Sequence, residues 1–126
     1  MYLATVIYYE TPDGTKPVQE YIEELAKGAG NNKQDRGRFQ RIVASIRNLE
    51  QIGYRYVLSS ARDINGVPNL WELRPGGDRV FFLLVCQDEF VLLHAFEKKT
   101  QKTPANEIAR AKREIQDYLS RRSDKQ

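Results

Sequence analysis

The stretch LWELRPGGDRVFFLLVCQDEFVLLHAF, residues 70–96, decides the fold. It divides into three runs, Leu70 to Arg74, Arg79 to Gln87 and Phe90 to Phe96, each rich in the β-branched, aromatic and aliphatic residues that suit strands. Pro75-Gly76-Gly77-Asp78 joins the first pair and Asp88-Glu89 the second. Connections this short join only antiparallel neighbours, so the stretch predicts a three-stranded meander. Side chains alternate between faces along a strand. One face of the middle run therefore carries Val80, Phe82, Leu84 and Cys86, and the other carries Arg79, Phe81, Leu83 and Val85. Both faces are apolar at their centre, so both must be covered. Two helices can cover one. The other needs the last helix, a partner chain, or both.

Working outward, Leu3 to Tyr9 reads as a strand and Thr11-Pro12-Asp13-Gly14 as a turn. Thr15 is placed to cap a helix with Pro17 in its first turn, and Val18, Tyr21, Ile22 and Leu25 form its apolar stripe. Gly28 and Gly30 end it. Asn31-Asn32 opens a second helix, with Phe39, Ile42, Val43, Ile46 and Leu49 on one face and Gly53 as its stop. Arg38, Arg41, Asn48 and Gln51 lie off that face. Residues 54–68 read as a connection with a helical turn near Ser60 to Asp63 and a turn at Asn65-Gly66. After the meander, Thr103-Pro104 starts a final helix striped by Ile108, Ala111, Ile115, Tyr118 and Leu119. The order β-α-α-β-β-β-α predicts an α+β domain over residues 1–120, with a charged, frayed tail at 121–126.

The composition, 40% hydrophobic and 29% charged, is that of a globular chain. The longest unbroken apolar run, Val80 to Cys86, is far short of the ~20 residues a membrane span requires. No leader pattern opens the sequence, so a cytoplasmic location and no membrane partner are expected. A lone cysteine forms no internal disulfide, and Cys86 reads as a small core residue. One His and one Cys make a zinc site unexpected, and no cofactor is expected. Net charge is +3 but uneven: residues 1–30 carry −3 and residues 97–126 carry +4. A basic second half permits a polyanionic partner without requiring one.

Four segments occur together: Leu70-Trp71-Glu72-Leu73-Arg74, Arg79-Val80-Phe81-Phe82, residues 92–104 (LLHAFEKKTQKTP) and Ile108-Ala109-Arg110. As a set they resemble the RelE/HigB superfamily of bacterial toxins, especially its phage-derived HigB-like branch, over roughly residues 68–119. The resemblance implies a RelE-like fold, a twisted antiparallel sheet with two helices on one face and a C-terminal helix. It implies the toxin of a type II toxin-antitoxin system, an mRNA interferase: a metal-independent endoribonuclease cleaving mRNA, usually on the ribosome, and so inhibiting translation. The implied partners are mRNA, the ribosome and a cognate antitoxin, commonly a helix-turn-helix protein from the adjacent gene.

RNA cleavage without a metal requires loss of the 2′-OH proton, stabilisation of the phosphorane charge and protonation of the 5′-oxygen. Arginine grips phosphate in a planar fork, and lysine changes protonation state when crowded by other cations. Arg74 ends one strand and Arg79 begins its partner, while Lys98, Lys99 and Lys102 follow the third strand. A meander brings these positions to one end of the sheet. Arg74 and Arg79 are thus expected to hold the scissile phosphate, Lys98 or Lys99 to carry a proton or stabilise charge, and Lys102 to bind neighbouring phosphates. Phe96 either stacks on a base or closes the core. Glu72 is either a general base or a salt-bridge partner. His94 has a side chain suited to acid–base work, but alternation with Leu92 and Phe96 favours a hydrogen-bonded core residue. Lysines used by some RelE proteins on the first meander strand are here Leu70 and Glu72, which leaves the base open. That departure motivates a second reading, a phage- or plasmid-derived relic that binds antitoxin or RNA and no longer cuts. A third is a nucleic-acid-binding adaptor without catalysis.

Overall fold

The computed structural model describes residues 3–101 and 103–124. In chain order the elements are β1 (Thr5–Tyr8), α1 (Pro17–Ala29), α2 (Lys33–Ile52), α3 (Tyr54–Ser60), β2 (Arg62–Asp63), β3 (Leu70–Leu73), β4 (Asp78–Cys86), β5 (Glu89–Glu97) and α4 (Ala105–Asp124). The strands form one sheet in the order β1-β5-β4-β3-β2. The α+β class and the β3-β4-β5 antiparallel meander are as expected. The sheet as a whole is mixed, because β1 lies parallel to β5, with Thr5 opposite Glu89 and Tyr8 opposite Leu92.

Local chemistry explains most boundaries. The Asn32 side chain caps α2, accepting from the amides of Gln34 at 2.8 Å and Asp35 at 3.3 Å. Gly53 ends α2 with φ +74, and its amide donates to the Leu49 carbonyl. That left-handed residue lets the chain restart at once as α3, where a mere connection was expected. Tyr54, Tyr56 and buried Val57 tie α3 to the core. The helical turn expected near Ser60 to Asp63 is not there. α3 stops at Ser60, and Arg62–Asp63 pairs with Glu72 and Trp71 as the edge strand β2. Thr15 does not cap α1 either. Lys16 occupies that position without a side-chain bond.

Both faces of β4 are covered. Val80 and Phe82 join Ile42, Ile46, Leu49, Val18 and Leu25 in a core beneath α1 and α2. Phe81 and Leu83 join Leu70, Val91, Leu93, Phe96 and Ala111 in a second core beneath α4. The last helix therefore supplies the second cover, each buried aliphatic or aromatic side chain contributing roughly 1.5–3 kcal/mol. Cys86 breaks the pattern. It is exposed as the last residue of β4, beside the turn into β5.

α4 runs on through Arg121 and Arg122 to Asp124, so the expected frayed tail is helical through that point. Arg121 bonds the Glu10 carbonyl and Asp117, and Arg122 pairs with Glu89. The Tyr9 hydroxyl donates to Asp117 at 2.7 Å. Burial, reinforced by that bond, pushes the Tyr9 hydroxyl up to about 12. These contacts fasten the far end of α4 to β1 and β5.

Candidate functional site

The rim of the sheet at the β3-β4 turn gathers the basic residues. Leu73 lies opposite Val80, which puts Arg74 across the turn from Arg79. Asp78 lies opposite Glu97, and the Lys98 amide donates to the Gly77 carbonyl at 2.9 Å. The backbone register thus brings Arg74, Arg79, Lys98 and Lys99 to one end of three adjacent strands. Lys102, expected beside them, lies outside the described residues. The turn itself is tight. Gly76 adopts φ +68, and the Asp78 amide bonds the Pro75 carbonyl.

Two arginines of α2 join this rim, and sequence reasoning did not assign them to it. A Cβ at Gly76 would stand 2.7 Å from Arg41 Nε, so the Arg41 side chain lies directly on the turn. Arg38 grips the fully buried Asp78 in a fork, Nε to Oδ2 at 3.1 Å and Nη2 to Oδ1 at 2.8 Å. Tyr21 donates to the same carboxylate at 2.5 Å. The hydrogen bond to Asp78 raises the Arg38 pKa further, while burial and then the Asp78 bond raise that of Tyr21. This network clamps α1 and α2 to the first residue of β4. The available signal was the spacing of Arg38 and Arg41, neighbours on the polar side of α2.

The cations differ in freedom. Arg74 is exposed and forms no ion pair among the described residues. Lys99 is exposed and Lys98 half-buried. Arg79 folds back over the turn, its Nη1 donating to the carbonyls of Gly76 at 2.7 Å and Asp78 at 2.8 Å. Its Nε stands 3.7 Å from Glu72 Oε1. Neither of those two atoms has a hydrogen-bond partner among the described residues. Thr103, just before α4, donates to the other Glu72 oxygen at 3.3 Å.

Glu72, His94 and Phe96 sit inside. Glu72 is fully buried beneath Thr103 and Arg79, in the geometry of a counter-ion holding Arg79 rather than of a base open to substrate. His94 is also fully buried. Its alternation with Leu92 fails because the β4-β5 register slips between Phe81 and Phe82, where Leu93 is an extra residue. The slip turns Leu93 and His94 toward α4 together. There Nδ1 meets Glu114 at 2.5 Å and Nε2 meets Glu107 at 3.1 Å. Phe81 packs edge-on against His94 at 5.4 Å and against Phe96 at 5.2 Å. Phe96 is 7% exposed and closes this core.

Among the described residues, no helix is long and apolar enough to cross a membrane. No curated protein matches the chain. A family model described as phage derived protein Gp49-like (DUF891) matches residues 32–116. The match begins at the α2 cap, takes in the whole meander with its basic rim, and ends within α4. It covers more than half of the sequence, and the α+β fold agrees with it: the chain belongs to the phage-derived Gp49-like family, a RelE-type, toxin-like family.

Proposed function

We propose that the chain is the toxin of a type II toxin-antitoxin system, of the HigB-like kind, and that it cleaves mRNA at the basic rim without a metal. The observation that carries the reading is the convergence of Arg74, Arg79, Lys98 and Lys99, with Arg41, at one end of β3, β4 and β5. Such a cluster grips a ribose-phosphate link and neutralises its growing charge. In the reaction the 2′-oxygen attacks the adjacent phosphorus and the bond to the 5′-oxygen breaks. A 2′,3′-cyclic phosphate and a 5′-hydroxyl result. One proton leaves the 2′-oxygen and one reaches the 5′-oxygen.

Arg74, free and exposed, and Arg79, braced by Glu72, hold the non-bridging oxygens. Lys98 or Lys99 carries the proton or stabilises the departing oxygen, and Lys102 binds a flanking phosphate. The translating ribosome presents the message in the cytoplasm. An antitoxin, of helix-turn-helix type and encoded next door, silences the chain. Expression in bacteria is expected to arrest growth, with Arg74→Ala and Arg79→Ala each relieving the arrest. If both variants remain as toxic as the parent, the rim is not the active centre.

One observation favours the binding-module alternative. Glu72 is buried against Arg79, and Leu70 is buried in the core, so β3 offers no lysine to the rim. A chain that binds RNA but yields no cut product in a translating extract would fit that alternative.

A further inference from the structure

Of the strand edges left unpaired among the described residues, that of β5 beyond the end of β1 lies sheltered within the fold. β1 pairs with β5 only as far as Tyr8 and Leu92, and the last bond on that side runs from the Tyr9 amide to the Leu92 carbonyl. Beyond it β5 continues to Glu97 with β4 on its other side alone. The bond from Lys98 to Gly77 fixes the alternation: residues 96 and 98 address β4, so Ala95 and Glu97 direct their N–H and C=O groups to the open side. Four strand residues, His94 to Glu97, span about 13 Å at ~3.3 Å per residue.

This edge lies in a trough between α1 and α4. Two depressions, of about 890 and 700 Å³, adjoin there and share Tyr21, Glu24 and Lys27. Ala95 lies in the first, and Phe96 and Glu97 in the second. The first depression is acidic on a basic protein, while the second sets Glu24, Asp35, Glu97 and Glu107 against Lys27, Arg38 and Lys99. The first depression sets Asp13, Glu20, Glu23 and Glu24 against Lys27 and Arg110, and Arg110 is already paired with Glu114. Glu20, Glu23 and Glu24 make no ion pair among the described residues. Unpaired strand groups beside an uncompensated acidic wall disfavour RNA and suit an extended polypeptide with cationic side chains.

We propose that the trough binds a basic, extended segment of a partner protein, which adds as a strand to the free edge of β5 at Ala95 and Glu97. Backbone pairing supplies the docking, and lysine or arginine on the outward-facing positions of the segment meets Glu20, Glu23 and Glu24. The inference rests on the edge and its charge and does not depend on the chain being a nuclease.

The test uses the whole chain labelled with ¹⁵N and a seven-residue capped peptide alternating lysine and valine. Binding is expected to protect the Ala95 and Glu97 amides from hydrogen exchange and to leave the far side of the sheet unchanged. N-methylation of alternate peptide bonds, with charge kept, is expected to abolish that protection. The exposed variant Glu20→Lys/Glu24→Lys is expected to weaken binding about tenfold, a loss of ~1.4 kcal/mol. A glutamate-valine peptide is expected not to bind. The proposal is overturned if the methylated peptide binds as well as the parent, if the two amides stay unprotected at saturation, or if a single-stranded RNA oligonucleotide protects them instead.

Discussion

The two faces of the sheet are buried in different ways. Beneath α1 and α2 the interior is apolar, and one buried carboxylate, Asp78, closes it at the rim in the fork of Arg38. Beneath α4 a single amphipathic helix covers the sheet, and the contact includes Glu72, His94, Glu107 and Glu114. Two helices exclude water by area. One helix covers less, and its seat is completed by polar groups whose partners must all be in place. The first face is built for stability. The second holds Glu72, the counter-ion of Arg79.

That contrast orders the expected effects of mutation. Phe82→Ala, in the two-helix core, should cost about 3–5 kcal/mol in urea unfolding. His94→Ala should cost about 2–3 kcal/mol, because it removes the bond to Glu107 and one of the two to the buried Glu114, which Arg110 alone then holds. A loss as small as a surface substitution would mean that α4 is seated without this cluster. Tyr9→Phe should cost about 1 kcal/mol, one hydrogen bond to Asp117. It should also change the alkaline limb. The folded Tyr9 hydroxyl is held at about 12 against an ordinary value of 10.0, so its contribution is complete below pH 10 and fades as pH rises toward 12. Tyr21 is shifted the same way. The variant should therefore lose less stability than the parent between pH 8 and pH 11 without becoming flat, as read by urea midpoints. Arg74→Ala, at an exposed and unpaired position, should change stability by no more than about 0.5 kcal/mol.

The meander, α2 with its Asn32 cap and the apolar stripe of α4 were legible because each depends on local periodicity and turn chemistry. α3 and β2 were not. Tyr54–Ser60 is too short to display a stripe, and Arg62–Asp63 is a strand only because β3 offers it an edge. His94 was read as a hydrogen-bonded core residue, but its partners lie 13 and 20 residues away and depend on a register slip with no sequence mark. At the rim, strand order alone brought Arg74, Arg79 and Lys98 together. Arg38 and Arg41 were placed off the apolar face of α2 but not at the rim, because α1, α2 and β4 must first assemble before an arginine of α2 can reach Asp78 or the Gly76 turn.

The most direct test of the basic rim is mapping of mRNA ends in a translating extract supplied with the purified chain. The parent should generate new internal ends bearing 5′-hydroxyl and 2′,3′-cyclic phosphate groups. Arg74→Ala, folded to the same urea midpoint, should cut at least about a hundredfold more slowly, the scale expected when one charge-stabilising donor is removed. Equal cutting by the two proteins, or no cutting by the parent while it still arrests translation, would contradict the account.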